Sequence, residues 1–169
     1  MMKIFLIGYM GCGKSRMGRT LSSMLDVPFI DLDKYIEEKY FKTIPQIFTE
    51  EGEAEFRKKE QAALKEVAEF DPVIVATGGG APCFFDNMEL MNQAGLCIFL
   101  DVDSRQLADR LIQSKNERPL IKGKSPEELI HFIDEMMLTR RPFYEKASCI
   151  LKGKEILPEQ VIAEIEKEK

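Results

Sequence analysis

Residues 3–15 read KIFLIGYMGCGKS. The apolar run Lys3–Ile7 has the continuous character of a strand buried on both faces. It breaks abruptly at Gly8, and Gly11, Gly13, Lys14 and Ser15 follow within the next seven positions. From Lys14 to Leu25 the apolar residues Met17, Leu21, Met24 and Leu25 recur at helical spacing on one stripe. A strand, a glycine-rich turn and a helix therefore succeed one another without a gap. The turn is too poor in side chains to build a core, so it is shaped to hold something.

The spacing of Gly8, Gly13, Lys14 and Ser15 satisfies G-x-x-x-x-G-K-[ST] in the context that motif requires. Glycines let successive backbone N–H groups converge on one anion, and the following helix adds the positive end of its dipole. Lys14 is expected to reach the β- and γ-phosphates of a nucleotide, and Ser15 to ligate Mg²⁺. A dinucleotide fingerprint fits less well, because G-x-G-x-x-G begun at Gly11 and Gly13 would need glycine at Arg16.

Outward from this stretch the chain alternates. Strands are expected over Val27–Leu32, Val73–Ala76, Cys97–Val102 and Ala147–Leu151, with helices over Lys34–Phe41, Ala54–Phe70, Met88–Gln93, Arg105–Gln113, Glu127–Arg141 and Pro158–Glu168. The helix from Glu127 is expected to stop before Pro142. Short apolar strands alternating with helices predict a three-layer α/β/α fold around a mostly parallel five-stranded sheet. At 169 residues this is one domain with a real core. Residues 113–125 form the one polar, basic interruption and are expected to be a mobile lid.

Charge and cysteines narrow the class. The 24 basic and 29 acidic residues leave a net charge of −5, which argues against nucleic acid as the main partner. An anionic ligand must then meet a local basic cluster. Cys12, Cys83, Cys97 and Cys149 are far apart and contain no C-x-x-C, so free thiols in a reducing compartment are expected. No stretch has the length of a membrane span or the pattern of a signal peptide. The single histidine, His131, lies among apolar residues and is read as structural.

Three further segments carry chemistry. Asp31 and Asp33 lie two apart at the expected end of the second strand, where period-two geometry puts both on one face beside the crevice used by ligands in open α/β sheets. One would hold metal-bound water and the other accept a proton from a hydroxyl. Position alone equally allows Asp33 to cap the helix that follows. Glu60 falls within the apolar stripe Phe56, Ala63, Leu64 and Val67, and Arg57 lies three residues before it. The pair is either a partly buried device that aims a guanidinium at a carboxylate ligand or an ordinary surface pair. Thr77-Gly78-Gly79-Gly80 ends the third strand, and three glycines there imply close approach of a ligand or backbone.

In order, the segments GYMGCGKS, DLD, EFRKKE, TGGG, ERPL and RRPFY span nearly the whole chain. Together they resemble the shikimate kinases. The resemblance implies ATP-dependent phosphorylation of the 3-hydroxyl of shikimate by a cytoplasmic monomer, with one Mg²⁺ and no nucleic-acid or membrane partner. It implies that Gly11, Cys12, Gly13, Lys14, Ser15 and Arg16 wrap the nucleotide phosphates and that Arg118 joins them from the lid. It gives Asp33 the substrate hydroxyls and the proton, with Lys14 and Arg118 supplying charge. Arg57 and Arg140 grip the carboxylate, Gly79 contacts substrate through its backbone, and a substrate-binding helical region spans about 33–61. Ser15, and Asp31 through water, are the metal ligands implied. Arg16 departs from the hydroxyl residue that such loops commonly carry. Arg110 and the segment 152–158 are candidates for adenine contact by position. Two rival readings are another small-molecule kinase, acting on gluconate or a nucleoside monophosphate, and a GTP-dependent switch. The switch would need N-K-x-D and D-x-x-G, and neither occurs.

Overall fold

A computed structural model describes residues 2–114 and 122–169. The first strand, β1 (Lys3–Ile7), and the first helix, α1 (Lys14–Leu25), fall where the opening stretch places them. They are followed by β2 (Phe29–Asp31), α2 (Leu32–Tyr40), α3 (Ile44–Glu51), α4 (Glu53–Val67) and β3 (Val73–Ala76). After a 3₁₀ turn over Ala81–Cys83 come α5 (Asn87–Ala94), β4 (Leu96–Val102), α6 (Ser104–Gln113), α7 (Pro126–Tyr144), β5 (Cys149–Gly153) and α8 (Pro158–Lys167).

The sheet order is β2-β3-β1-β4-β5, and every pairing is parallel. The expected mostly parallel five-stranded sheet is thus parallel throughout. Ile4, Phe5, Leu6 and Ile7 of the central strand are all essentially inaccessible to water, which is why β1 shows no polar alternation. Leu6 pairs with Ala76, and Ala76 pairs in turn with Asp31. This register brings the ends of β1, β2 and β3 to one edge, so Gly8, Asp31 and Thr77 leave the sheet together. Chain reversal about β1 makes that edge the crevice where open α/β sheets bind ligands.

Three expectations need correction. The second strand is shorter than Val27–Leu32, because Asp31 stops it: its Oδ1 accepts the N–H groups of Asp33 and Lys34, an N-cap that starts α2 at Leu32. Asp31 and Asp33 therefore do not share a strand face. One ends a strand and the other sits in the first helical turn.

The helix α3 was not expected. Its start is a capping box in which Thr43 Oγ1 accepts from the Gln46 N–H while the Gln46 side chain accepts from the Thr43 N–H, with Pro45 in the first turn.

The last correction concerns α7, which passes through Pro142 to Tyr144 instead of stopping before the proline. Proline forfeits only the bond to Leu138 O, and that turn lies on the open side, where Leu138 is 78% exposed. The Glu145 N–H then bonds to Arg141 O at 2.9 Å and closes the helix. Among the described residues, no helix is long and apolar enough to cross a membrane.

Candidate active site

The turn from β1 into α1 is built around Gly13, the N-cap of α1, whose φ of 95° lies in the left-handed region that side chains avoid. Lys14 folds its ammonium back over the turn, donating to Gly8 O at 2.6 Å and Tyr9 O at 3.1 Å, with Cys12 Sγ at 3.7 Å. A cation is thus held at the centre of a glycine-rich loop in an acidic protein. Ser15 Oγ donates to Asp31 Oδ2 at 2.8 Å. Asp31 therefore uses one oxygen to cap α2 and the other to meet the hydroxyl that follows Lys14.

Gly11, Gly13, Lys14, Ser15, Arg16, Asp31, Asp33, Gly78, Gly79 and Arg140 all line one cavity of about 470 Å³. Arg16 is otherwise exposed. Asp33 is half-buried at the cavity wall, and its carboxyl is held above the usual range, first by burial and then by the neighbouring Asp31 charge. A carboxyl in that setting takes up a proton more readily than a solvated aspartate does.

The three glycines after Thr77 each make room for a different side chain. A Cβ on Gly78 would lie 2.9 Å from Asp33 Oδ1, one on Gly79 3.0 Å from Arg140 Nη1, and one on Gly80 2.7 Å from Arg57 Nη2. These distances are shorter than ordinary van der Waals contact. The triplet is a bare floor on which α2, α7 and α4 each lay one functional group. Thr77 anchors the start of this floor, its N–H and hydroxyl each 3.2 Å from Leu6 O.

Arg57 does not line the cavity; it stands behind the Gly80 wall and is 13% exposed. Its Nη1 donates to Glu60 Oε1 at 2.9 Å, and Glu60 is 1% exposed. The surface-pair alternative is thereby excluded. Burial pushes the Glu60 carboxyl up to about 7 against the lowering effect of Arg57.

Arg140 and Arg141 diverge. Arg140 faces the cavity and lies over the Tyr9 ring at 5.4 Å. Arg141 turns away to form a two-pronged bond with the buried Asp101 at 2.9 and 3.2 Å. The wholly buried Tyr144 donates its hydroxyl to Gly79 O, and burial raises its phenol above the ordinary range. The roles of Tyr144 and Asp101 were not anticipated. Tyr144 left a signal, since a residue four after Arg140 on a helix lies beside it.

Arg110 donates to Gly11 O at 3.2 Å and to Lys154 O at 3.3 Å, tying the phosphate loop to the segment before α8. A second cavity, of about 410 Å³, adjoins the loop at this point and is lined by Cys12, Met17, Arg110 and residues 155–158. Of the adenine candidates marked by position in the chain, Arg110 and the segment 152–158, this cavity takes in Arg110 and residues 155–158. A larger cavity, of about 760 Å³, opens between α6, α7 and the ends of β4 and β5, where Asp101 and Arg141 pair with each other. It is apart from the glycine floor.

Arg118, with residues 115–121 of the expected lid, lies outside the described residues. His131 is 76% exposed and pairs with Glu135 at 3.0 Å, away from the cavity. The four cysteines are free thiols, Cys12 and Cys97 buried and the other two half-buried.

Comparison with known proteins agrees with this arrangement. A family model described as shikimate kinase matches residues 10–168. The chain is 52% identical over 150 residues to the shikimate kinase of Bacteroides fragilis, covering 89% of this chain and 84% of that one. The crystal structure of shikimate kinase from Bacteroides thetaiotaomicron superposes with a TM-score of 0.89 at 47% identity, covering 98% of this chain and 95% of that one. The shikimate kinase of Acinetobacter baumannii, solved in complex with shikimate, gives 0.87 at 33% identity, covering 100% and 95%. This chain belongs to the shikimate kinase family.

Proposed function

We propose that the protein transfers the γ-phosphoryl group of ATP to the 3-hydroxyl of shikimate, giving shikimate 3-phosphate and ADP. The observation that carries this reading is the single cavity where the phosphate loop, the Asp33 carboxyl and the Arg140 guanidinium meet over the glycine floor. Phosphoryl transfer asks a protein for positioning and charge more than for covalent chemistry. Lys14, with Gly11, Cys12, Gly13, Ser15 and Arg16 around it, receives the phosphates. Arg140, joined by Arg57 from behind Gly80, takes the acceptor's carboxylate, for which planar guanidinium forks are better suited than ammonium groups.

The acceptor hydroxyl then points at Asp33. As its oxygen bonds to the γ-phosphorus, the bond from that phosphorus to the β–γ bridging oxygen breaks and ADP leaves. The hydroxyl proton passes to the Asp33 carboxylate. Burial favours the protonated acid, so Asp33 holds that proton more firmly than an exposed aspartate would.

Ser15 Oγ and Asp31 Oδ2, 2.8 Å apart beside Lys14, form an all-oxygen pair suited to Mg²⁺ and its waters. Mg²⁺ bound there would neutralise charge on the β- and γ-phosphate oxygens. Asp31 remains fixed meanwhile by the two backbone N–H groups on its other oxygen. Arg118 is assigned to the ATP phosphates on family resemblance alone, as is lid closure over 113–125. Residues 33–61 form the acceptor-binding region of one kinase domain. ATP as donor and free thiols fit the cytoplasm, and a monomer is assigned on family resemblance alone.

The direct test is ADP release measured with shikimate, gluconate and nucleoside monophosphates as acceptors. Turnover is expected with shikimate. Turnover with gluconate and none with shikimate would overturn the acceptor. Arg57→Ala and Arg140→Ala should each raise the shikimate KM at least tenfold, as expected for loss of a charge-assisted bond, and leave the ATP KM nearly unchanged.

A further inference from the structure

We infer that Phe84 is a positioning residue: its ring sits against the Arg57 guanidinium and aims that fork at the acceptor's carboxylate. Arg57 Cζ is 4.1 Å from the centroid of Phe84, a stacking distance, whereas the neighbouring Phe56 ring is 5.2 Å away. Glu60 fixes one end of the guanidinium through a single bond at 2.9 Å. One bond leaves the plane free to turn about it. The Phe84 face and the bare Gly80 backbone, with a would-be Cβ at 2.7 Å from Nη2, restrict that turn.

The segment carrying Phe84 is built for this placement. Phe84 leaves the 3₁₀ turn in an extended conformation, and Phe85 follows with φ of 51°. A left-handed phenylalanine is costly and persists only where its surroundings enforce it. Phe85 is 57% exposed, so the strained residue packs little of its own side chain. Its effect is to reverse the chain immediately after Phe84. The Asn87 N–H closes the turn on Phe84 O at 3.3 Å, and two side-chain hydrogen bonds hold the reversal. The buried Asn87 donates to Ala81 O at 2.9 Å, and Gln61 of α4 donates to Asp86 Oδ1 at 3.2 Å. Gln61 follows Glu60 directly, so the helix that carries Arg57 also grips the turn that carries the ring.

The inference rests on the reading of Arg57 as a carboxylate-binding group, and a double-mutant cycle separates the two. Arg57→Ala tests that reading, while Phe84→Leu, Phe84→Tyr and Phe84→Leu combined with Arg57→Ala test the ring. Phe84→Leu keeps the apolar bulk and removes the aromatic face. It should raise the shikimate KM roughly three- to tenfold, with the ATP KM and kcat within about twofold. Phe84→Tyr, which keeps the face, should restore the KM. In the Arg57→Ala background, Phe84→Leu should add nothing. If Phe84→Leu raises the KM equally in both backgrounds, or if Phe84→Tyr fails to rescue, Phe84 acts by packing alone and the inference is overturned while the role of Arg57 stands. If Arg57→Ala itself leaves the shikimate KM unchanged, both fall.

Discussion

Glu60 Oε1 accepts a hydrogen bond from Arg57 Nη1 at 2.9 Å while only 1% of Glu60 is exposed. A buried carboxylate beside one guanidinium is a device for direction, since removing either partner strands the other's charge. It also has a pH signature. Burial pushes Glu60 up to about 7 from the ordinary 4.5. Between those values the folded protein keeps a proton that the unfolded chain has released, so this group's stability contribution is complete below about 4.5 and is lost as the pH rises through 7. Glu60→Gln removes that slope, whereas Asp33, also raised by burial, remains in both proteins. Urea unfolding at pH 5 and pH 7.5 should show a loss larger in the parent than in Glu60→Gln by on the order of 1–3 kcal/mol. Equal losses would place the Glu60 proton elsewhere.

Gly78 and Gly80 should fail in different ways. A methyl on Gly78 displaces the Asp33 carboxyl, whereas one on Gly80 displaces the Arg57 fork. Gly78→Ala is expected to lower kcat about a hundredfold, the scale of a misplaced reacting group, with little change in the shikimate KM. Gly80→Ala is expected to raise the shikimate KM with a smaller loss of kcat. Steady-state kinetics on the two proteins decide it, and identical profiles would mean that the floor is merely tight.

Asp31 is expected to separate capping from metal binding. Asparagine caps a helix as well as aspartate does, so Asp31→Asn should keep α2 intact while weakening Mg²⁺. Ser15→Ala removes the other oxygen. Each should raise the Mg²⁺ concentration for half-maximal activity about tenfold or more, with the far-ultraviolet circular dichroism unchanged. An unaltered Mg²⁺ requirement in both would remove the metal from this pair.

Arg110→Ala should raise the ATP KM several-fold and spare that of shikimate, because its two bonds hold Gly11 against Lys154, and bonds from a charged donor contribute about 1.5–3 kcal/mol. Equal effects on both substrates would signal a general loosening of the domain.

The opening strand, turn and helix were readable because two strong local signals coincide there, an apolar run and a glycine pattern that no core requires. The short helix α3 escaped because eight residues give only one short periodic run, yet Ile44, Ile47 and Phe48 stand at i, i+3 and i+4 and its Thr43–Gln46 capping box was in the sequence. Pro142 misled for a sound reason, since proline ends most helices. What kept α7 going is tertiary: the Asp101 grip on Arg141 and the burial of Tyr144 lie far away in sequence. Asp31 and Asp33 do meet in one cavity, but period-two spacing was the wrong geometry, because the Asp31 cap changes the backbone from extended to helical between them. The assignment of one glycine to each of Asp33, Arg140 and Arg57 depends on three helices converging, which no local pattern encodes.

The divergence of Arg140 and Arg141 bears on how this protein can vary in length. The rotational setting of α7 is fixed from its far end, where Arg141 holds Asp101 and Tyr144 holds Gly79, and along its length by the buried Leu129, Ile133 and Met137. Asp101 of β4 and Gly79 after β3 thus act from elsewhere in the chain to keep Arg140 turned inward. A single residue added between Met137 and Arg140 would turn the Arg141 and Tyr144 anchors by about 100° relative to the buried Leu129, Ile133 and Met137, so the two grips could no longer hold together.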